Sequence, residues 1–375
     1  LNVLENRTTI FCYSSTPFSL GYLYSHLMLR GSLHTHLLPM GAMRAERDPV
    51  SDTITQTAED VSALQAQIRE LAAEKSAVIL AHNYQIAPVQ DVADYLGDSL
   101  GLAQQAETTD ARVIIFCGVH FMAETAKILS PEKKVLLPDL KAGCFLSDMI
   151  DAQSLAAWKE EYPDAIVVSY VNTTADVKAL SDYCCTSSNA LKVVESIPPE
   201  KEILFTPDMF LGSWVKEVSG RENMRLWPGE CHVHSALTLD MILERAGEYP
   251  EAEVMVHPEC RCSATLHRMI SEGDPRVEGR RVLILSTGTM VKNAAESSAQ
   301  QFVVATETGI LHRMKKENPS KEFIPVTETS ICQYMKRITL PKVLTSLEEE
   351  VYEITVPPDI AAAAMGAVDR MVAIT

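Results

Sequence analysis

The chain has 375 residues, 46% of them hydrophobic and 22% charged, with a formal net charge of −17. That length holds two or three domains with ample buried core, and the ordinary composition excludes long-range disorder. So acidic a balance argues against nucleic acid or an anionic membrane as the main partner, while leaving room for anionic small molecules at a locally positive site.

No apolar run approaches the roughly 18–20 residues that span a bilayer. The cysteines (12, 117, 144, 184, 185, 231, 260, 262 and 332) are odd in number and lack the density of a secreted scaffold, which fits reduced thiols and a cytoplasmic location. Residues 1–54 have no clear period and no signal-peptide layout. They are expected to be a disordered or artefactual extension, with Met40 or Met43 as the native start, and the sequon Asn6-Arg7-Thr8 then carries no meaning.

From Glu59 to Lys75, Val61, Leu64, Ile68 and Leu71 recur at helical spacing. A strand over Val78–Ala81 follows, ending at His82-Asn83-Tyr84, and Pro88 opens a helix expected to carry Val89, Val92 and Leu96. Strands and helices then alternate to about residue 326, the pattern of parallel sheets covered on both faces.

The alternation repeats three times. Strand-like runs stand at Ala77–Gln85, Ala165–Asn172 and Glu253–Glu259. Each is followed by a Ser/Thr-bearing turn, at Gly97–Ser99, Thr186–Ser188 and Ser286–Gly288. A further strand running into a helix comes next, and each copy closes on one cysteine: Cys144, Cys231 and Cys332. The expected fold is therefore α/β, with three similar parallel-sheet domains in a pseudo-threefold arrangement around one central site. The boundaries read as 55–147, completed by 336–375, then 148–234 and 235–335. Between Glu259 and a strand at Arg281–Leu285, a polar stretch reads as a helix plus an exposed loop around Gly273-Asp274-Pro275.

Ligands of parallel sheets bind beyond the carboxyl ends of the strands. His82, Tyr84, Tyr170, Asn172, His257 and Glu259 occupy that position, as do the hydroxyls of Ser99, Ser187 and Thr287. Helix N-termini behind the hydroxyl turns favour carboxylate or phosphate. A Tyr beside a metal with a lowered pKa, or a Glu with a raised one, can move protons there. Singly, such residues are ordinary helix caps; in matched positions they read as one site. No C-x₂-C pair of the kind common in zinc and ferredoxin sites occurs. Three single cysteines brought together by the repeat could instead hold three corners of a [4Fe–4S] cube, leaving one iron open as a Lewis acid. Each cysteine alone reads more often as a small buried hydrophobe. Cys117, Cys184 and Cys185 read as core, and Cys260 and Cys262 as neighbours of the site. The GDSL letters at Gly97–Leu100 match an esterase motif, but no Asp-x-x-His follows to supply the base.

The segments AHNYQ, DYLGDSL, VHFMAETAKIL, LPDLKAGC, YVNTTADVKA, CCTSSNA, WPGECHVH, VHPEC, TETGILHRMKKENP and CQYMKRITL together resemble the quinolinate synthase A family, from about Thr55 to the C-terminus. The resemblance implies three α/β domains around a [4Fe–4S] cluster held by Cys144, Cys231 and Cys332. It implies condensation of iminoaspartate with dihydroxyacetone phosphate to quinolinate, phosphate and water in NAD biosynthesis. Tyr84 and Glu259 would transfer protons. His82, Ser99, Tyr170, Val171, Asn172, Ser187, His234, His257, Pro258, Glu259 and Thr287 would bind substrate. The expected supplier of iminoaspartate is an L-aspartate oxidase or dehydrogenase. Phe145 departs from the family's usual Ser, and the longer segment Arg261–Arg280 loosens the assignment of Thr287. Cys332 has no neighbouring cysteine, so no redox disulfide is expected there. Two other readings are a three-cysteine enzyme of the diphthamide-synthesis type, which lacks the HNYQ and HPE set, and a non-catalytic iron–sulfur carrier.

Overall fold

The computed structural model describes residues 57–374. Its first helix, α1 (Ala58–Glu74), starts at a reciprocal cap: Thr57 Oγ1 accepts the Asp60 N–H at 3.2 Å, and the Asp60 carboxylate accepts the Thr57 N–H at 3.0 Å. Twelve strands follow in three parallel four-stranded sheets. The first holds β1 (Ala77–His82), β2 (Tyr95–Gly97), β3 (Val113–Cys117) and β4 (Lys134–Leu136) in the order β2-β1-β3-β4. The second repeats that order with β5 (Ile166–Tyr170), β6 (Tyr183–Cys185), β7 (Ile203–Thr206) and β8 (Met224–Leu226). The third does so with β9 (Glu253–Val256), β10 (Val282–Ile284), β11 (Gln301–Ala305) and β12 (Glu322–Pro325).

Central strands such as β3, β7 and β9 are buried along their whole length, because helices cover both faces of each sheet. The covering helices include α2 (Ala87–Val92), α3 (Ser99–Thr108), α4 (His120–Leu129), α6 (Ala175–Ala179), α7 (Ala190–Ser196), α8 (Met209–Ser219), α10 (Ser263–Glu272), α11 (Thr287–Glu296) and α12 (Ile310–Glu317). Two further helices, α5 (Ala152–Glu161) and α9 (Leu239–Glu248), lead into the second and third sheets. One polar device recurs: Asp94 accepts the Ile79 N–H at 2.7 Å, and Asp182 accepts the Val167 N–H at 2.8 Å, each tying the approach to the second strand onto the first. In the third sheet the carbonyl of Arg281 takes that place, accepting from Val254 at 2.9 Å.

The C-terminal helices complete the first repeat and join it to the second. Of these, α13 (Leu340–Glu349) packs on α1 and β3, while α14 (Pro358–Ala373) packs on α6 and β6 as well as on α3 and α4. The three hydroxyl turns meet at the seam. The Ser188 hydroxyl donates to the Asp98 carboxylate, and Ser188 Oγ lies 2.9 Å from Ser286 Oγ.

Two expectations change in detail. Leu96 lies on β2 and not on the preceding helix. That helix ends at Val92, and Ala93 is already extended, because the buried Val92 completes a single apolar turn before the chain pairs with β1. Each sheet also carries a fourth strand that sequence periodicity did not single out. The stretch after Glu259 is a helix, α10, followed by an exposed loop, as its composition indicates. The extension 1–54 lies outside the described residues. Among the described residues, no helix is long and apolar enough to cross a membrane.

Candidate active site

The carboxyl ends of all three sheets open onto one pocket. His82, Tyr84, Ser99, Cys144, Tyr170, Asn172, Ser187, Cys231, His234, His257, Glu259, Thr287 and Cys332 all line it. Val171 and Pro258 do not. Val171 is packed into the core, its N–H bound to Cys185 O at 2.8 Å, and the Pro258 carbonyl accepts the Ser263 hydroxyl at 2.8 Å. Cys117, Cys184 and Cys185 are buried on β3 and β6; Cys260 and Cys262 are buried beside the pocket wall as free thiols.

The first and third sheets present their histidines alike. His82 Nδ1 accepts the Tyr84 N–H at 3.2 Å, and His257 Nδ1 accepts the Glu259 N–H at 3.4 Å. Each ring is thereby fixed with Nε2 as the protonated nitrogen. Burial lowers the pKa of His82 to about 4 and that of His257 to about 3, so both are neutral hydrogen-bond donors at physiological pH.

Glu259 is the charged centre. One carboxylate oxygen accepts the Tyr170 hydroxyl, and the other lies 3.1 Å from His234 Nδ1. Burial alone would raise its pKa; the charge and hydrogen bond of His234, with His257 and Tyr170, outweigh that and hold it at about 2. The His234 ring stacks on His257 with centroids 4.4 Å apart, and its Nδ1 also lies 3.3 Å from Cys231 Sγ. Tyr84 OH is 2.5 Å from Thr306 Oγ1 and 3.4 Å from His234 Nε2. Burial first, and then the Glu259 charge, push the pKa of both Tyr84 and Tyr170 well above the phenol value. Both phenols therefore stay protonated, and the Tyr170 hydroxyl donates its hydrogen bond to the ionised Glu259.

Sequence reasoning missed a second layer at the ends of β7 and β11. Asp208 accepts the N–H groups of Phe210 and Leu211 at 2.9 and 2.7 Å, and the Cys231 N–H at 3.3 Å. Glu307 accepts the Gly309 N–H at 2.7 Å and the Cys332 N–H at 3.1 Å, and pairs with Lys336 at 2.8 Å. Thr306 bridges Tyr84 and His234. The signal was present in the repeat: Thr206-Pro207-Asp208 and Thr306-Glu307 stand at matching strand ends, each before a helix. Close approach also constrains two glycines. A Cβ on Gly229 would fall 2.3 Å from Pro207 O, and one on Gly309 would fall 2.8 Å from Glu307 Oε2 and 2.9 Å from the Tyr84 carbonyl carbon.

The donor set suits a cysteine-held iron–sulfur group. Each repeat contributes one half-buried thiol to the same pocket. Burial raises the thiol pKa of all three, that of Cys144 to about 12. Lys336 balances Glu307, but among the described residues that line the pocket there is no Lys or Arg to balance thiolates beside Glu259. A cationic cluster core would supply that balance.

The sequence matches the family model of the quinolinate synthetase A protein over residues 66–373. The chain belongs to this family. It is 52% identical over 309 residues to the quinolinate synthase of Mycolicibacterium paratuberculosis, which covers 82% of this chain and 88% of that protein. Against the quinolinate synthase of Mycobacterium tuberculosis the identity is 51% over the same length and coverage. A Mycobacterium sp. quinolinate synthase (strain KMS) is 55% identical over 242 residues, 64% of this chain and 71% of the relative. The chain is thus an enzyme of the quinolinate synthase type, with its function in NAD biosynthesis.

Proposed function

We propose that this pocket condenses iminoaspartate with dihydroxyacetone phosphate to give quinolinate, phosphate and two waters. The observation that carries the reading is the convergence of one cysteine and the strand-end polar groups from each of three repeats on a single pocket. Cys144, Cys231 and Cys332 would hold a [4Fe–4S] cluster, which when bound supplies an open iron as Lewis acid.

The protein's own groups divide the remaining work. Ser99 and Thr287 begin α3 and α11, so their hydroxyls and the main-chain N–H groups beside them receive phosphate or carboxylate oxygens. Ser187, on the turn before α7, and Asn172, whose buried side-chain oxygen has no protein partner, add polar contacts from the second repeat. His82 and His257, neutral and oriented, donate through Nε2. Glu259, held ionised, and Tyr84, held protonated, are the groups assigned to proton transfer. Both shifts run opposite to the raised carboxyl and lowered phenol that such transfer favours, so bound substrate and cluster would have to draw the two values together.

Free thiols at every described cysteine suit a reducing cytoplasm. An L-aspartate oxidase or dehydrogenase is the fitting source of iminoaspartate, an imine that hydrolyses in water. The test is anaerobic: the chain is reconstituted with iron and sulfide and assayed for quinolinate, with Cys144→Ala, Cys231→Ala and Cys332→Ala in parallel. Quinolinate from the wild type, lost together with the cluster in each variant, is expected. A cluster that forms without quinolinate would turn the reading towards a carrier, and folded protein that takes up no cluster would end it.

A further inference from the structure

Three donor atoms on the inner wall of the pocket form a set of their own. Cys231 Sγ, His234 Nδ1 and a Glu259 carboxylate oxygen all lie within 4.8 Å of one another. Two of the separations are 3.3 Å, sulfur to nitrogen, and 3.1 Å, nitrogen to oxygen. Tetrahedral zinc with Zn–S of about 2.3 Å and Zn–N or Zn–O of about 2.0–2.1 Å requires edges of roughly 3.3–3.6 Å. The set therefore stands within a few tenths of an ångström of two such edges, and the third, sulfur to oxygen, lies within 4.8 Å.

Each donor is also held from behind, as ligands of a metal site are. His234 turns Nδ1 towards the sulfur and the carboxylate, while its Nε2 hydrogen-bonds Thr306 Oγ1 at 2.9 Å. Glu259 turns one oxygen to His234 and binds the Tyr170 hydroxyl with the other. The Cys231 N–H is bound by Asp208 at 3.3 Å. One thiolate, one carboxylate and one neutral imidazole carry two negative charges, which a divalent ion cancels in a buried place. Sulfur, nitrogen and oxygen together select a borderline-soft ion such as Zn²⁺ over Mg²⁺ or Ca²⁺.

We propose that the chain without its iron–sulfur group binds one Zn²⁺ through Cys231, His234 and Glu259. Because Cys231 cannot serve both, zinc and a three-cysteine cluster exclude one another. The fourth zinc position faces the pocket. Binding releases the thiol proton and the proton that His234 Nδ1 holds towards Glu259, and involves no change of oxidation state.

The zinc site is read on the iron-free full-length chain under anaerobic conditions, and so needs neither cluster nor quinolinate. Its failure is distinct from failure of the proposed reaction. Titration with Zn²⁺ is expected to give one ion per chain, and Co²⁺ as a spectroscopic substitute is expected to give a thiolate charge-transfer band. Cys231→Ala should abolish the band, whereas Cys144→Ala and Cys332→Ala should keep it. Thr306→Val, which removes the support behind His234 together with the Thr306–Tyr84 hydrogen bond but no donor atom, should weaken affinity by about 10–100-fold. Equal loss in all three cysteine variants, or a cobalt spectrum without the thiolate band, would overturn the site. Exclusion is tested by adding iron and sulfide to the zinc-loaded chain. No cluster is expected until the zinc is chelated, and a cluster forming at the iron-free rate would refute it.

Discussion

The Asp208 carboxylate accepts the main-chain N–H of Cys231 at 3.3 Å, and Glu307 repeats the arrangement on Cys332 at 3.1 Å. Asp208 also caps α8, and Glu307 accepts the N–H of Gly309, the residue just before α12. The same side chain thus fixes a cysteine loop to a helix N-terminus in two of the three repeats. In the first repeat the approach to Cys144 is held by the main chain instead, through His120 N–H to Ala142 O at 2.8 Å.

An amide at position 208 or 307 can serve the helix or the cysteine loop, but not both. Asp208→Asn is expected to speed amide hydrogen exchange over residues 229–233, and Glu307→Gln over 330–334. Leaving the loop N–H without its partner costs about 1–3 kcal/mol, so local exchange should accelerate by about fivefold or more. Exchange that rises equally at both loops in either variant would show a general loosening and refute the pairing.

Most of the site was legible because the repeat places equivalent residues at equivalent strand ends. His82, Tyr170 and His257 follow apolar runs that only a doubly covered parallel strand explains. Asp208, Glu307 and Thr306 also stand at matching strand ends, but their roles were not legible, since their partners lie at sequence separations that only the closed sheets bring together. The strands β4, β8 and β12 escaped for a different reason. They are three or four residues long and carry no period that could be counted.

Aromatic residues next to each cysteine form a rim on the exposed side of the pocket. The Phe145 ring stands edge-on to His232 with centroids 5.7 Å apart, and His232 stands edge-on to Tyr334 at 6.1 Å. Phe145 is 43% exposed, while Tyr84, His234 and Glu259 at the opposite wall are buried. Phe145→Ser should therefore open the sulfur side of the site with little effect on stability, because a half-exposed ring contributes little burial. Alkylation of the iron-free chain, read cysteine by cysteine, is expected to quicken several-fold at Cys144. An unchanged rate would show that the rim does not limit access.

Arg313 on α12 reaches across to the first repeat, donating to Asn83 Oδ1 and Leu96 O, both at 2.8 Å. Asn83 in turn donates to Thr287 Oγ1 at 3.3 Å, so a residue of the third repeat is positioned through the first. Arg313→Met leaves two acceptors unpaired, one of them on the fully buried Asn83. At about 1–3 kcal/mol for each unsatisfied group, Tm should fall by several degrees. Arg313→Lys should restore part of the loss. A Met variant with the wild-type Tm would show that solvent replaces both bonds.

A second clasp between the same repeats depends on pH. Asp91 on α2 accepts from His312 Nε2 at 2.9 Å and pairs with Lys316 at 2.5 Å. Burial acts to raise the Asp91 pKa, but the hydrogen bonds and charges of Lys316 and His312 outweigh it and hold the carboxyl below its ordinary value. The folded chain therefore releases this proton more readily than the unfolded chain does. The contribution is complete above the unfolded value of about 3.9 and is lost as pH falls through the lower folded value. The Tm difference between wild type and Asp91→Asn should accordingly persist down to about pH 4 and shrink below it. The groups are partly exposed, so the difference should be small and should weaken with salt. A difference that grew on acidification below pH 4 would reverse the sign and show that the carboxyl is stabilised in its protonated form.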